Sequence, residues 1–216
     1  MSRRTLAAFD FDGTLTRRDT LIPFLATIAG RATLLRALGA ESPRLALAAA
    51  GRGDRDVVKQ RVLTRILAGR SYADLETAGR AFGVELTRSA ITTAGRDRIA
   101  WHLCEGHEVV IVSASLDVYL DEVARALGVA HVLCTGLVTD ERGRCTGHLR
   151  GANCRGPEKA ARLRALLGDD DVELWRTATA AATTRCWPSH TIPCASDAAR
   201  YAGSSDPLAP RLSEEE

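Results

Sequence analysis

Two short apolar runs constrain this chain most, through what closes each of them and what lies between. Residues 4–9, Arg-Thr-Leu-Ala-Ala-Phe, stop at Asp10-Phe-Asp12-Gly-Thr14, and residues 108–112, Glu-Val-Val-Ile-Val, stop at Ser113-Ala-Ser115. A short apolar run closed by a polar turn reads as a strand buried on both faces, as in a parallel sheet. Residues 20–103 read differently. Leu21, Ile22, Leu25 and Ile28 recur at helical spacing, as do Val58, Val62, Ile66 and Leu67, and Ser71 precedes Asp74 by three as a capping start. No strand pattern interrupts that block. Two sheet strands separated by so long a helical stretch predict a core with an insertion.

The rest of the chain alternates. A helix is expected with Leu116, Leu120, Val123 and Leu127 on one face and Gly128 as its stop. A strand follows at His131 to Thr135, then a hairpin over 137–150 turning at Asp140 to Gly143. Glu158 to Leu167 reads as helix and Val172 to Trp175 as strand. The fold class is therefore α/β: a Rossmann-like parallel sheet core, residues 1–18 and 96–175, with a helical cap, 19–95, inserted after the first strand. Extra helices that only thicken the core are the plain alternative. Open α/β sheets bind ligands at the carboxyl ends of their strands, where Asp10 and Ser113 both fall.

Composition narrows the partners. With 216 residues, 45% hydrophobic, the chain can build one core plus a small second unit. Lys+Arg 29 against Asp+Glu 27 leaves a net charge of +2, which gives no ground for nucleic acid or an anionic membrane as partner. No stretch reaches the roughly 18 apolar residues of a membrane span, so no stable membrane insertion is expected. The first apolar run ends too early for a signal peptide, and the expected location is cytoplasmic. The six cysteines include no Cys-x-x-Cys pair and read as free thiols; Cys145 and Cys154 flank a Gly-rich loop without metal-ligand spacing. Lys59 and Lys159 are the only lysines in an Arg-rich chain, which suits a site wanting a compact point charge.

Asp10 and Asp12 stand two residues apart. Carboxylates about 4 Å apart repel by about 4 kcal/mol at an effective dielectric of 20, so either a cation or a proton must settle between them. Both outcomes suit catalysis: one carboxylate can attack phosphorus, and a neighbour holding a proton can protonate the leaving oxygen.

Asp10-Phe-Asp12-Gly-Thr14 resembles the signature of the haloacid dehalogenase superfamily of phosphatases. That resemblance implies Asp10 as the nucleophile that accepts the phosphoryl group and Asp12 as general acid and base. It implies Thr14 as the hydroxyl supporting the phosphate loop, Ser113 as donor to a phosphate oxygen, and Lys159, at a helix start, as the cation offsetting charge. Mg2+ is the implied cofactor, held by the Asp10 carboxylate and the backbone carbonyl of Asp12. The helical insertion, Ser113-Ala-Ser115 and Gly151-Ala-Asn153-Cys154-Arg-Gly156 with Lys159 are similar to the phosphoserine-phosphatase-like subfamily, IB, over roughly residues 5–175. There Asp19 falls where an acidic residue on the cap side touches substrate. The implied partner is a small phosphorylated alcohol, phosphoserine or a head-group or lipid phosphate, hydrolysed through an aspartyl-phosphate. Transfer to an acceptor other than water shares the same chemistry.

One motif departs. After Val172 to Trp175 the family carries a Gly-Asp-x-x-x-Asp segment that helps hold Mg2+; this chain reads Arg176-Thr-Ala-Thr-Ala-Ala instead. Mg2+ usually keeps one or two carboxylates, so the alternative reading is a catalytically impaired remnant or a non-catalytic phosphate binder. The genetic code supplies a reason. With one base inserted after the Trp175 codon, the codons of Arg176 to Pro188 permit Ala-Tyr-Gly-Asp-Ser-Gly-Gly-Asp-Asp-Ala-Met-Leu-Ala. Most of those choices are free, but the final Leu and Ala are forced. Residues 176–216 are thus expected to be a frame-shifted, poorly ordered tail.

Overall fold

Strand β1 (Arg4–Phe9) is apolar on both sides because it is covered on both sides. Leu6 and Ala8 face one way, with Val110, Val112, Leu163 and Leu174. Ala7 and Phe9 face the other, with Val109, Ile111 and the helices of the insertion. This two-residue alternation, buried on each face, is what a continuous apolar run signals. The computed structural model describes residues 4–177.

β1 leads into the insertion: α1 (Leu21–Ala29), α2 (Arg31–Ala40), α3 (Ser42–Ala49), α4 (Arg55–Leu67) and α5 (Tyr72–Ser89). Helix α6 (Thr93–Cys104) returns to the sheet at β2 (Glu108–Leu116), followed by α7 (Asp117–Ala126), β3 (His131–Thr139), β4 (Cys145–Arg150), α8 (Pro157–Leu167) and β5 (Val172–Thr177). The strand order is β4-β3-β2-β1-β5. β1 pairs in parallel with β2 and β5, β2 with β3, and β4 closes one edge antiparallel to β3. The α/β class with a parallel core and helices inserted after the first strand is as expected. Among the described residues no single helix is long and apolar enough to cross a membrane.

Local chemistry sets the cap helices. Asp54 caps α4 by accepting from the N–H groups of Asp56 and Val57. Ser71 Oγ accepts from Asp74 N–H at 3.3 Å to start α5, at the expected residue. Two glycines let the cap approach the core. A Cβ on Gly79 of α5 would sit 2.1 Å from the Val118 carbonyl oxygen of α7. A Cβ on Gly147 of β4 would sit 2.4 Å from Thr64 Cα of α4, at a φ of +81°.

Three boundaries differ from expectation. The strand at His131 and the first arm of the hairpin are one strand, β3. β2 runs on through Ser113-Ala-Ser115 to Leu116, and its register with β3 breaks between Val112 and Leu116. β5 reaches Thr177, because Arg176 and Thr177 pair with Ala8 and Phe9; the frame-shift reading of the remaining tail lies outside the described residues.

Candidate active site

β1 is where the sheet's connectivity changes sides: β2 and β3 lie on one flank and β5, last in sequence, on the other. Such a switch point opens a crevice at the strand ends. A cavity of about 280 Å³ occupies it, lined by Asp10, Asp12, Asp19, Ser113, Lys159 and residues of the cap.

Asp10 follows the last residue of β1. Its Oδ1 accepts from Lys159 Nζ at 2.6 Å and from Phe11 N–H at 2.8 Å. Among the described residues no hydrogen bond reaches its Oδ2. Both members of this pair are buried, Asp10 5% and Lys159 2% exposed. Lys159 arrives from the first turn of α8, which Pro157 begins. Ser113 is 1% exposed where the β2–β3 register breaks, and its Oγ accepts from Ser115 N–H at 3.0 Å, leaving its own proton to donate.

Asp12 lines the same cavity but is held by different partners from those of Asp10. Its Oδ1 accepts from Thr20 N–H at 2.9 Å and Thr20 Oγ at 2.8 Å, and its Oδ2 from Ser115 Oγ at 2.5 Å. Burial nevertheless pushes its pKa up to about 6, helped by the negative charge of Asp19 and opposed by the Ser115 and Thr20 hydrogen bonds. One of the two carboxylates does favour its proton, but desolvation is the main cause, and the charge that adds to it is Asp19's.

Asp19 lines the cavity from the cap side, and its Oδ1 also accepts from Ile22 N–H at 3.2 Å. Thr14 lies in the turn after β1, its N–H donating to Phe11 O at 3.2 Å, and it is not among the cavity's lining residues. Sequence reasoning left several site residues unassigned. Lys59 reaches over from α4 and donates to Ala114 O at 2.5 Å and Asn153 Oδ1 at 2.7 Å. Asn153 in turn donates to Asp56 Oδ1 at 2.7 Å. This chain of bonds ties α4 to the segments that carry Ala114 and Asn153, and burial lowers the Lys59 pKa to about 8. The scarcity of lysine was the one signal for it: both lysines of the chain meet in this cavity.

Four acids, Asp10, Asp12, Asp19 and Asp56, face four bases, Arg55, Lys59, Arg155 and Lys159. A phosphate dianion therefore enters a balanced site. Protonation of Asp12 offsets part of the added charge. Mg2+ would offset more, and it wants octahedral oxygen ligands including one or two carboxylates. Here one Asp10 oxygen is already taken by Lys159, which leaves one carboxylate oxygen beside the Asp12 backbone carbonyl, and among the described residues no group of three His, Cys, Asp or Glu side chains could hold a metal. The described residues do not make up a full Mg2+ shell. Cys145 and Cys154 are buried free thiols, with Cys154 Sγ donating to Leu133 O at 3.3 Å.

Known proteins resemble this chain in sequence and in fold. The protein CicA of Caulobacter vibrioides is 36% identical over 169 residues, 76% of this chain and 73% of its own. A Mycobacterium tuberculosis protein described as a probable phosphatase is 28% identical over 176 residues, 79% of this chain and 60% of its own. A Bordetella pertussis structure of unknown function superposes with a TM-score of 0.69 at 25% identity, covering 82% of each chain. A substrate-bound phosphoserine phosphatase shares the fold, with a TM-score of 0.54 at 18% identity over 82% of this chain and 80% of that one. The model of the haloacid dehalogenase-like hydrolase family matches residues 7–181, and this chain belongs to that family.

Proposed function

We propose that this protein is a phosphomonoester hydrolase. The observation that carries the reading is the buried Asp10–Lys159 pair at 2.6 Å, set in a cavity with Ser113 and with Asp12, whose pKa burial raises to about 6. Asp10 Oδ2 attacks phosphorus in line as the ester P–O bond breaks, and the leaving alkoxide takes the Asp12 proton. Asp12, now a carboxylate, removes a proton from water, which attacks the aspartyl-phosphate, freeing inorganic phosphate and Asp10. Lys159 and the Ser113 hydroxyl hold the phosphate oxygens, with Thr14 supporting the loop from behind. A general acid works best with a pKa near the working pH, and about 6 for Asp12 meets that condition. Asp19, at the cap side, selects the leaving group. The test is a phosphomonoester screen on parent and Asp10→Asn: hydrolysis by the parent and none by the variant is expected, whereas equal rates would remove Asp10 as nucleophile.

Mg2+ dependence belongs to the family's chemistry, and its missing ligands bear on rate. A cation offsetting charge at phosphorus is worth several kcal/mol, and about 1.4 kcal/mol is tenfold in rate. Turnover by this chain is therefore orders of magnitude below that of a relative with the Gly-Asp segment. The frame-shift reading of residues 176–216 predicts that one base inserted after the Trp175 codon restores Mg2+-dependent hydrolysis. A gene whose neighbouring frame encodes no Gly-Asp segment refutes it.

A further inference from the structure

A second cavity lies beside the catalytic one. It measures about 370 Å³ and is walled by Ile22 and Leu25 of α1, Leu38 of α2, Leu45 of α3, and Val58 and Val62 of α4. Its remaining wall is aliphatic too, except for Asp19, Arg55 and Lys59. Those three, with Leu21, line the catalytic cavity as well. The two spaces thus meet at a polar neck, one leading to Asp10 and Lys159, the other into a groove of leucine, isoleucine and valine. Ile22 is 41% and Leu45 38% exposed, apolar surface that the cap itself leaves uncovered. Specific pockets for small molecules combine an apolar lining with a few convergent polar groups.

The shape selects among phosphate esters. A phosphoserine-like alcohol is charged throughout: its ammonium and carboxylate would stop at the neck and leave the groove empty. An ester with an apolar chain fills both spaces. We propose that the substrate is a phosphate monoester of an alkyl or acyl alcohol, its phosphate at Asp10, Ser113 and Lys159 and its chain in the groove between α1, α2, α3 and α4. This rests on the phosphatase reading of the catalytic cavity and adds the substrate class. Continuity through the neck is what assigns the groove to the substrate's own tail rather than to a separate ligand.

The experiment is calorimetric titration with ethyl, butyl, hexyl and octyl phosphonate, which mimic the ester and are not hydrolysed. Each buried methylene strengthens binding by about fourfold, so affinity rises with length until the groove is full. Leu45→Glu and Ala49→Trp, both at exposed groove positions, should flatten that rise. Lys159→Ala should weaken every length alike. Equal affinity for all four phosphonates, with competition by inorganic phosphate intact, overturns the groove assignment and leaves the phosphatase reading standing. Octyl phosphonate that binds undiminished to Lys159→Ala overturns both, because the chain would then bind without its phosphate anchor. Binding to octyl phosphonate presented in phosphatidylcholine vesicles, with none to the free compound, also overturns the proposal by moving recognition to a membrane surface.

Discussion

Asp12→Asn should make the protein more stable at neutral pH while removing the proton that the proposed mechanism uses. The Asp12 carboxyl accepts three hydrogen bonds, yet burial raises its pKa from 3.8 to about 6. A carboxyl whose folded pKa lies above its unfolded one binds its proton more tightly in the native state. Its contribution is fully present below the unfolded value and is lost as pH rises through the folded one. A rise of about two units corresponds to about 3 kcal/mol at pH 8, of which about 2 kcal/mol develops between pH 4.5 and pH 8. Asparagine cannot ionise, so it escapes this loss. Its oxygen can still accept from Thr20, and its amide can donate to Ser115 Oγ. The charge-assisted bonds of the ionised carboxylate to Ser115 and Thr20 are already contained in its folded pKa, so their loss adds no separate cost. The assay is urea unfolding of parent and variant at both pH values, with a chelator keeping cations out of the site. The stability of the variant relative to the parent should grow by about 2 kcal/mol from pH 4.5 to pH 8. A difference that stays constant across that range would falsify the claim that Asp12 is a desolvated carboxyl.

Lys159→Ala strands the buried Asp10 carboxylate and should cost about 3–5 kcal/mol in urea unfolding at pH 7; a loss under about 1 kcal/mol would mean that water screens the pair. Gly147→Ala adds a Cβ against Thr64 Cα at a positive φ, so it should lower stability by more than about 1 kcal/mol, and an unchanged thermal midpoint would refute the close α4–β4 approach. Lys59→Met removes the bonds to Ala114 O and Asn153 Oδ1, and amide exchange of residues 113–115 should quicken; unaltered exchange there would show that the cap is held by packing alone.

The residues assigned to the proposed chemistry were legible early because most of them sit at strand ends and because so few residue types can do that work. Asp10 and Ser113 stood out where apolar runs meet polar turns and Lys159 as one of two lysines, at a helix start, while their roles came from the resemblance to the haloacid dehalogenase superfamily. The inserted helices were legible from their 3.6-residue period, and the Ser71 cap from its spacing. The merged β3 and the extension of β2 through Ser115 were not, because strand length depends on pairing with neighbours and not on local pattern.

Alone, the sequence determined that strands buried on both faces enclose a helical block and that two carboxylates close the first of them; alternation and chain direction are local properties, written residue by residue. Only the tertiary structure decided which partners each of those carboxylates meets. Asp12 accepts from nearby Thr20 and from Ser115 while Asp10 pairs with Lys159, and Ser115 and Lys159 are distant in sequence, so that their meeting the first strand depends on the order of strands around β1. The same is true of Lys59 and of the apolar groove. A cavity is what packing leaves unfilled between four helices, and no periodicity in one helix shows what the others fail to cover.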